Sequence, residues 1–390
     1  MKNIKIVLVL ILFVGFTYWG IEPYAHHVFN PAVKPADFEF SDLYAQRTID
    51  TLDEAEQGAV KEIVETQGLS ERTAIAKVER SRIKGLIAAG DLAAGTETFQ
   101  VCASCHNVES AGIIFASDPS EAAASVDRDK LIAKSRLDLV GANGLLPPDL
   151  SNAASIYDEV FLLEAIRDYS AASWMASHTD RQNELIPNKV KELKDANGSL
   201  GDEQALSTAE ELTQKSIASF NEKAMSNYIM KMPPNSWMDD AQLASVVAYL
   251  KTQAKPVSEL TPKEITISAC ARCHSVSYDK VEMQADAQAL KEYLGIDALP
   301  PDLSMIIRSK GEDYLRTFLN DPQKHLLGTS MPRVGLSEEA QDKVIAYLDQ
   351  VGDPKKGERF GVGAFFVVYF LLLSVLAYMW KHNEFEEIGK

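Results

Sequence analysis

At 390 residues and 46% hydrophobic content, the chain is long enough for two or three compact units and too apolar to be disordered. Its formal net charge of −17 excludes a nucleic-acid binder, which would present a basic face. Such an acidic surface keeps a protein soluble and speeds its encounter with a basic partner.

The chain opens with an apolar run from Ile6 to Ile21, preceded by Lys2 and Lys5. No small-residue cleavage site follows it, so the run reads as an uncleaved signal-anchor. Tyr18 and Trp19 suit the membrane–water boundary, and the two lysines put the N-terminus inside. Between Asp37 and Glu65 acidic residues are opposed only by Arg47 and Lys61. Helical patterns near Leu52–Val64 and Arg72–Ala89 follow, and this acidic arm carries no recognisable chemistry.

At Cys102-Ala103-Ser104-Cys105-His106 the chain presents C-x-x-C-H, and it does so again at Cys270-Ala271-Arg272-Cys273-His274. This is the attachment pattern of a c-type haem. The two thiols bond the porphyrin, and the adjacent imidazole becomes the proximal ligand of its iron. All four cysteines of the chain fall in these two motifs. A disulfide framework does not require a histidine after each pair, and a zinc site usually brings its pairs closer in sequence.

Two further elements repeat behind each motif. Pro147-Pro148-Asp149-Leu150-Ser151 is matched by Pro300-Pro301-Asp302-Leu303-Ser304, and Met232-Pro233 by Met331-Pro332. Each copy closes on a helix ending Ala-Tyr-Leu, at Tyr249 and Tyr347. The first of these helices, from about Asp239 to Thr252, has an apolar stripe at Leu243, Val246, Val247 and Leu250. The second starts at Ser337 as N-cap, with Glu338 and Glu339 in its first turn. The first copy is longer, with an insertion rich in charged and amide residues around Thr179 to Glu222.

His106 and His274 each leave one axial position of an iron to be filled, and Met232 and Met331 are the candidates. A thioether opposite histidine favours ferrous iron and raises the potential. The proline after each methionine restrains the local backbone. Met175, His178, Met230 and Met238 compete with Met232, and His325 with Met331. An iron closed on both faces exchanges electrons and does not take substrate, so the expected role is a relay, not an enzyme.

Phe360 to Trp380 is a run of about twenty apolar residues, long enough to span a bilayer. The expected organisation is all-α: an N-terminal anchor (1–22), an acidic helical arm (23–90), a first cytochrome c-like domain with its insertion (91–255), a second (256–353) and a C-terminal transmembrane helix (359–381). The helix holding Gly95 and Phe99 should cross the helix holding Tyr249 and Leu250, with Ile267 replacing Phe99 in the second unit. Both termini would then lie on one side of the cytoplasmic membrane, with the haem units in the periplasm.

With these residues in view, the chain resembles cytochrome c1, the haem subunit of quinol–cytochrome c reductase, and in particular its di-haem bacterial variant. The P-P-D-L-S element is similar to that family's signature, and a single C-terminal membrane helix follows the haem domain there too. The resemblance implies two covalently bound haems c, with Pro148 and Pro301 in the cofactor site and Arg308 at a haem propionate. It also implies cytochrome b, a Rieske iron–sulfur protein and a soluble cytochrome c as partners. Two alternatives are the di-haem subunit of a cbb-type terminal oxidase and a membrane-bound di-haem peroxidase. Separately, Asp195-Ala196-Asn197-Gly198-Ser199 fits an extended glycosylation sequon or an unmodified Asn-Gly turn.

Overall fold

The computed structural model describes residues 2–29, 49, 52–69, 71–115, 127–143, 146–169, 189–196, 198, 200–212, 232, 234–294, 298–320, 322–326 and 329–388. Among them the regular structure is helical, and extended chain is limited to three isolated antiparallel bridges. The all-α expectation agrees with this. The N-terminal run forms α1 (Lys2–Phe16), a π-helical turn at Thr17–Ile21 and α2 (Glu22–Phe29). Its apolar part, Val7–Ile21, is shorter than a full span.

In the acidic segment, α3 (Glu54–Gln67) begins with a reciprocal cap: Glu56 N donates to the Asp53 carboxylate at 2.8 Å and Asp53 N to Glu56 at 3.2 Å. It packs against α4 (Glu71–Ala88) over Leu52, Val60, Ala74, Ile75 and Val78. The far end of α4 turns Ile83 and Ile87 into the core of the next unit. Arg80 pairs with Asp158 there, and Arg82 pairs with Asp240 at 2.9 Å.

The first motif belongs to a unit made of α5 (Leu92–Cys102), α6 (Arg128–Asn143), α7 (Ala153–Ile156), α8 (Glu159–Arg167) and α9 (Asp240–Gln253). Asp239 and Gln242 cap α9 reciprocally, at 2.8 and 3.0 Å. Every residue of α9 from Leu243 to Leu250 is buried, not only the expected stripe. The reason is positional: α4, α5 and α8 all pack against it. The expected crossing of α5 over α9 is present, with the Phe99 and Tyr249 rings 5.1 Å apart. It depends on Gly95, where a Cβ would lie 2.1 Å from the Ser245 carbonyl oxygen. Only glycine allows two backbones this close.

The second unit comprises α10 (Pro262–Cys270), α11 (Ala287–Leu294), α12 (Ile306–Lys310), α13 (Glu312–Asn320), α14 (Pro322–His325) and α15 (Glu338–Gly352). Thr261 and Glu264 cap α10, with Pro262 at its first position, where a missing N–H costs nothing. Ser337 caps α15 through Ala340 N at 3.4 Å. α10 packs on α15 as α5 packs on α9, and Ile267 contributes to that core.

The units meet along a short seam. Tyr157 bridges Leu336, Asp158 N donates to Gly335 O at 2.9 Å, and Ser337 N donates to Ile156 O at 2.9 Å. Gly335 has φ +69° and presses so closely on Phe161 that a Cβ would lie 2.1 Å from the ring. Ile156 packs into the second core, and Tyr157 touches both. Beyond the second unit, α16 (Lys356–Ile388) carries the apolar segment, none of which is buried by the rest of the chain.

Candidate haem-attachment sites

Each motif starts on the last turn of a helix. Cys102 ends α5 and Cys270 ends α10. The chain then makes one more tight turn. Cys105 N and His106 N donate to Cys102 O at 3.1 and 2.9 Å. Cys273 N and His274 N donate to Cys270 O at the same two distances. The result is a compact arc of two thiols and an imidazole, formed twice. All four cysteines are free thiols, which removes the disulfide alternative. Among the described residues no group of three or more His, Cys, Asp or Glu is placed to hold a metal ion.

The P-P-D-L-S element supports the histidine. His106 Nδ1 lies 2.9 Å from the Pro148 carbonyl, and His274 Nδ1 lies 2.8 Å from the Pro301 carbonyl. A carbonyl can only accept, so Nδ1 carries the proton and Nε2 keeps its lone pair. Metal-binding histidines are held in this way. Proline suits the position because its fixed φ restrains the carbonyl.

The rest of the element anchors that carbonyl to the loop after the motif. Leu150 N donates to Asn107 O at 2.8 Å, and Leu303 N to Ser275 O at 2.9 Å. Asp149 accepts from Glu109 N at 3.0 Å, and Asp302 from Ser277 N at 2.9 Å. Ser151 Oγ accepts from Ser110 N at 2.9 Å, and Ser304 Oγ from Tyr278 N at 3.0 Å. A bridge closes each loop, Val108 to Ile113 and Val276 to Val281. The turn residue has positive φ in both copies, at Gly112 and Lys280. In the first copy α6 covers the loop, with Arg136 Nε donating to Glu109 at 2.9 Å.

These surroundings suit the group that the motif implies. Burial pushes the pKa of both histidines below the ordinary imidazole value, despite the opposing hydrogen bonds to Pro148 and Pro301. Both rings are therefore neutral, as ligation requires. Burial also raises the Cys102 and Cys273 thiols, and pushes Cys270 up to about 12. Uncharged thiols, buried at Cys270 and half-buried at Cys102 and Cys273, beside a neutral imidazole fit a porphyrin edge.

The two methionines stand in loops tied to the second helix after P-P-D-L-S. After Met232, Asn235 N donates to Arg167 O at 2.8 Å and its amide to Ile166 O at 2.7 Å, at the end of α8. After Met331, Arg333 Nε donates to Asn320 O at 3.2 Å, at the end of α13. Met232 and Met331 are half-buried. Met238 is packed in the first core, and His325 is exposed against Tyr314, 6.3 Å between ring centres. Met175, His178, Met230 and Asn197 lie outside the described residues. Arg308 is exposed on α12.

Arg333 and Arg272 had no role in the sequence reading. Arg333 is buried two residues beyond Met331. Its signal was the M-P-R order, which differs from M-P-P in the first copy. The anchoring by Asp149, Ser151, Asp302 and Ser304 was implicit in the repeated element, but its direction needed the fold.

Residues 263–352 match the family model for cytochrome c. The match runs from α10 through α15. The second unit is a cytochrome c domain. A cytochrome c domain of this kind carries covalently bound haem c and transfers electrons. No curated protein and no solved structure matches the chain.

Proposed function

We propose that the chain is a membrane-anchored di-haem c-type cytochrome, and that it serves as the cytochrome c1-type subunit of a quinol–cytochrome c reductase. The observation that carries the two-haem reading is the histidine–proline pair, His106 with Pro148 and His274 with Pro301, repeated to within 0.1 Å. Because the second pair lies in the cytochrome c domain, the first supports a second haem held by Cys102, Cys105 and His106. Bound haem supplies a one-electron couple at iron. The chain orients the imidazole and keeps it neutral, and Met232 and Met331, on restrained loops, would help to hold the bound haem. Held by these residues, the haem would carry electrons and leave no place for substrate. Arg333, buried beside the Met331 loop, is better suited than exposed Arg308 to offset a propionate.

Anchors at both ends, with the body in the periplasm, set the relay beside a membrane oxidoreductase. A Rieske protein would deliver electrons, and a soluble cytochrome c would collect them, favoured by the negative charge of the chain. The test is purification from native membranes in mild detergent. The expected result is two haems c per chain and co-purification with a cytochrome b and a Rieske protein. Recovery with a copper-haem oxidase, or alone with peroxidase turnover, would overturn the assignment.

A further inference from the structure

The two attachment motifs differ at one position with a structural consequence. The residue before the second cysteine is Ser104 in the first motif and Arg272 in the second. Ser104 stays local, with its hydroxyl donating to Val101 O at 2.7 Å. Arg272 leaves its own unit: its Nε donates to the Leu146 carbonyl at 3.1 Å. Leu146 is buried and immediately precedes Pro147-Pro148. The Pro148 carbonyl in turn holds His106. A side chain from the second motif thus grips the strap that sets the proximal ligand of the first.

The charge goes with the grip. The hydrogen bond to Leu146 O fixes the guanidinium two residues from the Pro148 carbonyl that holds His106. Among the described residues, no hydrogen bond from the first motif reaches the second unit. We infer that Arg272 is a positioning residue shared by the two sites: it docks the second motif onto the Leu146–Pro148 strap and raises the reduction potential of the haem held by His106. The inference rests on the two-haem reading. Its physical basis is elementary: a fixed positive charge in a partly desolvated seam favours the less positive state of a nearby iron.

The test is a redox titration of the purified, haem-loaded, full-length protein, with haem content measured on the same samples. Met331→His identifies the wave of the second haem by moving it. Arg272→Met keeps the apolar stem and removes the charge and the Nε donor. It should shift the first haem toward the oxidised form by about tenfold, equivalent to about 59 mV for a one-electron couple, with two haems per chain retained. Arg272→Lys keeps the charge and should recover most of that shift. A purely structural role would leave Lys no better than Met. An unmoved first wave with two haems present, or a shift confined to the second wave, would overturn the inference alone. A single haem per chain in the unaltered protein would overturn the two-haem reading and this inference with it.

Discussion

The residues that hold each site together are backbone acceptors and one carboxylate. Asp302 collects bonds from Ser277 N at 2.9 Å, Ser277 Oγ at 2.6 Å, Ser275 Oγ at 2.7 Å and Ser304 N at 2.9 Å. Partial burial opposes ionisation, but the hydroxyls of Ser277, Ser304 and Ser275 win and hold its pKa well below the usual carboxylate range. A depressed folded pKa means that the ionised form stabilises the native state above the unfolded value, about 3.9, and that this contribution fades as pH falls through the folded value. Asp302→Ala should therefore lower stability at neutral pH by about 1 kcal/mol, the scale of a hydrogen bond to a charged group discounted for exposure. The loss should narrow below about pH 4, where the unfolded chain takes up the proton that the folded carboxylate refuses. Melting curves of both proteins across pH test this, and an undiminished gap in acid would contradict it.

At the scale of elements, the two copies share one device: a helix ending in the first cysteine lies across a helix that carries Ala-Tyr-Leu near its C-terminal end. This much was legible in the sequence, because Gly95, Phe99 and the stripe of α9 announce a close crossing. The extent of α9 burial was not. A helix surrounded by α4, α5 and α8 hides residues that periodicity assigns to solvent, and α4 comes from a segment whose charge suggested a solvated arm. The Pro148 and Pro301 carbonyls were legible only as part of a motif, since a backbone acceptor leaves no mark in side-chain identity. Arg272 was invisible for another reason: its partner is a main-chain carbonyl far along the chain. The crossing itself can be tested at Gly95. A methyl there meets the Ser245 backbone at 2.1 Å, and backbone cannot rotate away. Gly95→Ala should cost at least about 1–3 kcal/mol, as overpacking does, and reduce haem attachment at Cys102 more than at Cys270. Gly58→Ala in α3 is the control, because nothing lies within 4 Å of its added carbon; there the helix should gain about 0.5–1 kcal/mol. Denaturant unfolding and haem content separate the two, and equal behaviour would refute the close-contact account.

For the molecule as a whole, the two ends differ in how well they can hold a membrane. Phe360–Trp380 in α16 extends about 30 Å at 1.5 Å per residue, which matches the hydrocarbon thickness. Val7–Ile21 extends only about 22 Å, so a bilayer would have to thin around it or tilt its flanks inward, at a modest cost per ångström. Tyr18 and Trp19, 64% and 87% exposed, are placed to sit in the interface and lessen that mismatch. Charge does not resolve the orientation. Lys2 and Lys5 favour a cytoplasmic start, whereas Lys355, Lys356 and Arg359 at the other end oppose the usual bias, and all three are already paired within the chain, Lys355 with Glu358 at 3.5 Å, Lys356 with Asp349 at 2.9 Å and Arg359 with Asp353. Neutralising those cations locally weakens their vote. A double-anchor arrangement therefore predicts a graded response. Removing residues 356–390 should leave the protein in the membrane fraction after a high-salt wash, held by the N-terminal run. Removing residues 2–21 behind a cleavable export signal should do the same, held by α16. Only the double truncation should yield a soluble, haem-loaded protein in the periplasm. Release by the C-terminal truncation alone would show that Val7–Ile21 does not anchor the chain, and that α16 is the sole attachment of the relay to its membrane.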